Sequence, residues 1–309
     1  MNVARFDPTK AFTAEDMAAV RQRSDGTGFL CIVHAWFMIA AAMTLYALWP
    51  TPYSFILAVI VIGSRQLGLE ILMHDGAHGV LMKTRGLNEW ASQWLCAYPV
   101  FADTIPYRHY HLVHHRLTQQ DGDPDLVLSA PFPITRWSFL RKMLRDLSGV
   151  TGVKQRFIQF RMAAKDGARG FLARLGRPLI ANLILFLLLW AFGKPLYYPL
   201  FWLLPLLTWH MAVVRIRNIA EHAMVPDNDD PMRNARTTYA SWLERALFAP
   251  YWVNYHVDHH LLMYVPCFNL PKLHALLLEK GNREKMELRK GYAAVLRLAT
   301  SKRSTSAPI

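Results

Sequence analysis

What most constrains this chain is where its apolar residues fall: they gather in runs of about twenty, a length that suits lipid better than a soluble core. Residues 29–49 (FLCIVHAWFMIAAAMTLYALW) are apolar apart from His34 and Thr44, enough to cross roughly 30 Å of hydrocarbon as a helix. Residues 53–72 form a second span whose later half carries Ser64, Arg65, Gln66 and Glu70. Such groups belong either beyond the bilayer or against the interior of a helix bundle. Residues 179–192 and 196–214 form a second pair, separated by Gly193, Lys194 and Pro195, and the later run contains Pro199, Pro205 and His210. Each pair reads as a helical hairpin. Residues 90–107 are aromatic and moderately apolar but include Gln93, Pro99, Asp103 and Pro106, so this stretch reads as interfacial or re-entrant. The expected fold is all-α and membrane-integral, with four transmembrane helices in two hairpins plus interfacial helices.

Two hairpins put both termini and the long middle segment on one side, and charge identifies the side. Of 35 Lys and Arg residues, only Lys194 falls in the short turns within the hairpins, so the positive-inside rule places the rest, and a His-rich cap, in the cytoplasm. A bacterial inner membrane fits this arrangement. The net charge of +13 is thereby explained by topology, with no nucleic acid partner required. Residues 131–177 hold eleven Lys or Arg against two Asp, interleaved with Trp137, Phe139, Leu140, Phe157, Phe160 and Phe171, the pattern of amphipathic helices on anionic headgroups. The expected organisation is a cytosolic segment 1–28, a catalytic membrane domain 29–275 and a cytosolic segment 276–309 with a disordered tail from Ser301. No cleavable signal peptide is expected, because the first 28 residues are polar. Cys31, Cys96 and Cys267 are too scattered for a disulfide framework or a thiolate metal site.

Thirteen histidines remain to be explained. His74 and His78 (HDGAH) are four apart, and His111, His114 and His115 (HLVHH) have the spacing that shares one helix face. His256, His259 and His260 (HVDHH) repeat it, and Asn218 and His222 (NIAEH) are again four apart. All fall on the predicted cytoplasmic side. So many imidazoles on one side would repel one another if protonated and be costly to bury if unpartnered. A metal cation removes both penalties. Eight or nine imidazoles exceed the six ligands of an octahedral ion, so two ions are implied. An all-nitrogen shell with open positions suits iron and dioxygen, while ligand type leaves zinc and manganese open. Asp75, Asp258 and Glu221 stand beside these positions and are candidates to orient a neighbouring ring. His34, His210 and His274 stand alone and read as structural. His109 lies on the opposite side of its helix from His111 and reads as a residue that supports the site or touches substrate.

The set HDGAH, HLVHH and HVDHH resembles the three histidine boxes of the membrane fatty acid desaturase and hydroxylase superfamily, and NIAEH resembles the additional Asn-x3-His site of acyl desaturases. The resemblance runs from about residue 30 to 275. It implies that His74, His78, His111, His114, His115, His222, His256, His259 and His260 are di-iron ligands and that Asn218 holds one iron through water. It also implies four membrane helices under a cytosolic cap. His256 stands where front-end desaturases fused to a cytochrome domain have Gln. HDGAH is common to bacterial acyl-lipid desaturases and carotenoid ketolases, and YHVDHHLLMYVPCFNLPKLHALL resembles the bacterial lipid-desaturase version.

The expected activity is therefore that of an oxidoreductase, a desaturase placing a double bond in a fatty-acyl or lipid chain with two Fe ions and O2 as co-substrate. Hydroxylation or ketolation of a lipid or carotenoid is the alternative on the same scaffold, and a non-redox zinc protein is the remoter one. No GxGxxG, haem or iron–sulfur motif is present, so a separate ferredoxin- or cytochrome-type donor is expected, docking on basic residues. Trp90, Trp94, Trp242, Tyr251 and Trp252 read mainly as interface anchors, with an acyl tunnel as their other use.

Overall fold

The computed structural model describes residues 6–302, so the expectation of a disordered tail falls largely on residues 303–309, outside the described ones. The described chain forms two units, one comprising Arg23–Arg108 and Arg145–Val214, the other the N-terminal residues to Gln22, His109–Leu144 and the residues from Arg215 onward. It is a predominantly α-helical membrane protein, and four of its helices are long and apolar enough to cross a bilayer.

The first unit is the membrane bundle. Helix Asp25–Leu48 starts where Ser24 Oγ accepts the Thr27 amide. Helix Pro52–Ala77 follows, opened by a reciprocal cap between Thr51 and Ser54 and by Pro52 in the first turn, where a missing N–H costs nothing. The second span runs beyond residue 72 because its polar half faces inward. Ser64, Arg65 and Gln66 are buried; Gln66 Nε2 donates to the Trp202 carbonyl at 2.8 Å, and Ser64 Oγ accepts from Trp209 Nε1 at 3.0 Å. Glu70 lies 3.1 Å from His210 Nε2, so His210 partners a carboxylate within the bundle. Gly63 permits this close approach, since a Cβ there would lie 2.9 Å from Trp209 Cδ1.

Helix Gly167–Ala191 merges the basic approach and the third span into one element, with Pro178 inside it. Asn182 Nδ2 reaches back to the Pro178 carbonyl at 2.9 Å and across to that of Tyr98 at 3.0 Å. The fourth span is broken: a π-helical run Tyr198–Leu203 and a short helix Leu204–Leu207 precede Trp209–His222. Pro199 and Pro205 each remove a helical donor there. Stretch 90–107 passes from helix Arg85–Ala91 through π-helical Ser92–Ala97 and a 3-10 turn Tyr98–Val100. Trp36 Nε1, Trp202 Nε1 and Gln159 Nε2 cap its carbonyls at Leu95, Pro99 and Phe101. Irregular backbone is tolerated in a membrane bundle when protein groups satisfy it in this way. Within the basic segment, helices Arg136–Leu147 and Val150–Ala164 expose Trp137, Leu140, Leu144 and Phe157.

The second unit carries most of the histidines. One of its apolar clusters joins Ile219, Ala223 and Ala299, with Phe132, Phe139 and Leu296 packed against them. Arg236 is 1% exposed and caps the end of helix Trp209–His222 by donating to the carbonyls of Ala220 (3.1 Å) and Met224 (3.0 Å), while its Nε meets Glu287 at 3.1 Å. Two three-residue parallel strands, β1 (Thr237–Tyr239) and β2 (Leu288–Lys290), pair Thr237 with Leu288. They are too short to leave an alternating pattern in the sequence.

Candidate metal centre

Three short helical segments of the second unit present seven of the singled-out histidines. His111, His114 and His115 lie on helix Thr104–Leu117, His222 ends Trp209–His222, and His256, His259 and His260 occupy the six-residue helix His256–Leu261. The i, i+3, i+4 spacing turns each set to one side. His114, His222, His256 and His260 converge so that the ring atoms they offer lie within 4.8 Å of one another. His256 Nε2 is 2.8 Å from His222 Nε2 and 3.1 Å from His260 Nε2. His111, His115 and His259 form a second group, with Nε2 separations of 3.0 Å for His111–His115 and 3.0 Å for His115–His259. The stacked rings of His115 and His260, centroids 4.3 Å apart, join the two groups.

The opposite ring nitrogens decide what the convergence means. His114 Nδ1 meets Asp123 Oδ1 at 2.9 Å, His222 Nδ1 the Asn234 carbonyl at 3.2 Å, and His256 Nδ1 faces Glu221 Oε1 at 3.4 Å. His260 Nδ1 meets Thr118 Oγ1 at 3.2 Å, whose own hydroxyl hydrogen goes to the His114 carbonyl at 2.9 Å. Acceptors at every Nδ1 place the proton there and leave Nε2 as the lone-pair nitrogen. Four lone pairs therefore point at one small volume, a repulsive arrangement unless a cation fills it. Around an ion with metal–nitrogen bonds of about 2.1 Å, neighbouring ligand nitrogens stand roughly 3.0–3.4 Å apart, close to the 2.8 and 3.1 Å separations of His256 from His222 and His260. Protonation is opposed as well: burial, followed by the surrounding His115, His256, His222 and His114, drives the His260 pKa well below its ordinary value. Burial would raise the Asp123 pKa, but the His114 ring and the amides of Asp125 and Gln119 outweigh it and hold the carboxyl below its usual range. The residues fit a metal.

His74 and His78 lie in the membrane unit, buried at the end of Pro52–Ala77 with ring centroids 4.8 Å apart. Burial, with Arg108 nearby, pushes the His78 pKa down to about 3, so this ring too is a neutral donor. Asn218 is half-buried one turn before His222. A cavity of about 410 Å³ in the second unit reaches His115 and His260, with Arg21, Arg116, Leu262 and Tyr264 among its lining residues.

The chain matches the family model described as fatty acid desaturase over residues 46–292. It belongs to the fatty acid desaturase family. Dihydrorhizobitoxine desaturase of Bradyrhizobium elkanii is 27% identical over 280 residues, covering 84% of this chain and 75% of that protein. The protein is thus a membrane oxidoreductase of the fatty acid desaturase type, with a lipid substrate and histidine clusters able to hold metal.

Glu221 faces His256 Nδ1 at 3.4 Å, and Asp75 faces His74 Nδ1 at 3.5 Å. Asp258 pairs with His274 Nδ1 at 2.9 Å, so His274 is not the isolated residue its sequence position suggests. His109 is exposed. Trp90 and Trp242 are also exposed, as interface anchors are. Asp123, Asn234 and Thr118, which orient the rings, were missed. Asp123 and Asn234 lie outside helices and Thr118 just past one, where no periodicity marks them; the only signal is the acidic run DGDPD after the second box.

Proposed function

We propose that this desaturase uses two irons and O2 to introduce a double bond into a fatty-acyl or lipid chain. The observation that carries the reading is the set of converging Nε2 lone pairs, each fixed by an acceptor on its far nitrogen. His114, His222, His256 and His260 hold one ion; His111, His115 and His259 belong to the other, and the box pattern adds His74 and His78. Asn218 contributes through water. Bound iron supplies dioxygen activation: a CH2–CH2 unit, O2, two electrons and two protons become CH=CH and two waters. The chain's part is to keep the rings neutral and oriented, through Asp123, Glu221, the Asn234 carbonyl and Thr118, and to exclude water by burying them. The 410 Å³ cavity is of a size that admits part of a substrate.

The electrons come from a separate ferredoxin- or cytochrome-type protein docking on basic cytoplasmic residues. Segments 1–28 and 276–309 flank the catalytic domain 29–275 on that side of a bacterial inner membrane. The relative's name, a desaturase, supports desaturation over hydroxylation or ketolation. Lipid mass spectrometry of a host expressing the chain under labelled dioxygen tests this. Products two mass units lighter and free of label are expected. Labelled oxygen in the product means hydroxylation or ketolation, and full function without O2 with zinc alone overturns the reading.

A further inference from the structure

The helix His256–Leu261 carries three ligand histidines on six residues, far below the roughly 12–15 at which a helix holds itself in water. Something else must fix its rotation. Asp258, 0% exposed, projects from its middle, on the side away from the rings. Its Oδ2 accepts from Thr237 Oγ1 on β1 at 2.6 Å, and its Oδ1 meets His274 Nδ1, on helix Leu270–Glu279, at 2.9 Å. His274 is buried, and its Nε2 lies 3.0 Å from the Tyr239 hydroxyl. One assignment satisfies every group: Tyr239 donates to Nε2, Nδ1–H of His274 donates to one Asp258 carboxylate oxygen, and Thr237 donates to the other. The N-terminal approach is also tied to β1, by the Thr237–Tyr255 bridge and by Asn254 Nδ2 donating to the Thr238 carbonyl at 3.0 Å. A carboxylate anchored on two elements thus ties the short helix to β1 and to helix Leu270–Glu279.

We propose that His274 is a positioning residue of the metal centre, acting through Asp258 to set the angle at which His256, His259 and His260 face the ions. The inference rests on the metal-centre reading above.

The test uses the full chain in lipid nanodiscs, loaded with ferrous iron, and reads iron stoichiometry, iron affinity and the Mössbauer spectrum. His274→Phe keeps a ring but removes both hydrogen bonds. It should lower iron affinity by roughly 10–100-fold, as loss of a ligand's orienting partner does, and change the spectrum of whatever iron remains. His274→Asn places an amide N–H where Nδ1–H stood and should recover most of the affinity. Tyr239→Phe removes only the outer hydroxyl and should shift the spectrum with a smaller loss, a readout that survives if His274→Phe fails to fold. The inference is overturned if His274→Phe keeps wild-type iron and spectrum, if the Phe and Asn variants lose iron alike, or if Tyr239→Phe leaves the spectrum unchanged. A wild-type chain that binds no iron defeats the metal centre itself, whereas an iron-loaded wild type with an unaffected His274→Phe defeats only the brace.

Discussion

His74 and His78 stand at the end of a 26-residue helix, while His256, His259 and His260 stand on one of six residues. The long helix holds its histidines through its own backbone ladder and through close packing of its last turn. Asn88 Nδ2 donates to the Gly76 carbonyl at 2.9 Å, Arg108 Nε donates to that of Ala77 at 2.6 Å, and Gly76 lets Ser92 pass against it. The short helix depends on side chains: Asp258 behind it, with Glu221 and Thr118 on its rings. The same residue type thus needs backbone regularity in one place and a hydrogen-bond network in the other, and the two should fail differently.

The largest expected effect is at a ligand of the short helix. His259→Ala should abolish turnover and lose iron while membrane insertion and helical content persist, as product analysis, metal analysis and circular dichroism will check. Unchanged turnover would contradict the ligand assignment. Next comes Asp123→Asn, which keeps the shape but replaces the carboxylate on His114 Nδ1 with an amide. Iron affinity should fall roughly 10–100-fold with little change in melting temperature. The long helix should behave in the opposite way under Gly76→Ala, whose Cβ would lie 2.2 Å from Ser92 Cβ. Overpacking of this kind costs about 1–3 kcal/mol, so thermal stability should drop, and adding Ser92→Gly should restore most of it. An equal effect of Asp123→Asn on melting would blur the contrast between the two regions. The smallest effect belongs to His109→Ala. This residue is exposed two positions from His111, so stability should move by less than about 0.5 kcal/mol with activity unaltered.

The centres of the spans were legible because apolar runs of that length have few other uses. Their ends were not. Ser64, Gln66 and Glu70 extend the second span by finding Trp209, the Trp202 carbonyl and His210, partners over a hundred residues away. The π-helical breaks at 92–97 and 198–203 are likewise tertiary effects. The ligand candidates were legible because helix-face spacing is a local property. The partners that orient them were not: Glu221 adjoins His222 in sequence but faces the ring of His256, and Asp123 and the Asn234 carbonyl reach theirs through irregular segments. Asp258 shows why adjacency misleads, since on a helix the residue between two ligands points away from them, here toward His274.

The claim on which the rest depends is that these imidazoles gather to hold two iron ions, and metal analysis of the purified chain tests it most directly. Inductively coupled plasma mass spectrometry of protein loaded anaerobically with ferrous iron should find two irons per chain, falling in the His259→Ala variant. A wild-type chain that binds no iron, or that functions with zinc alone, would contradict it.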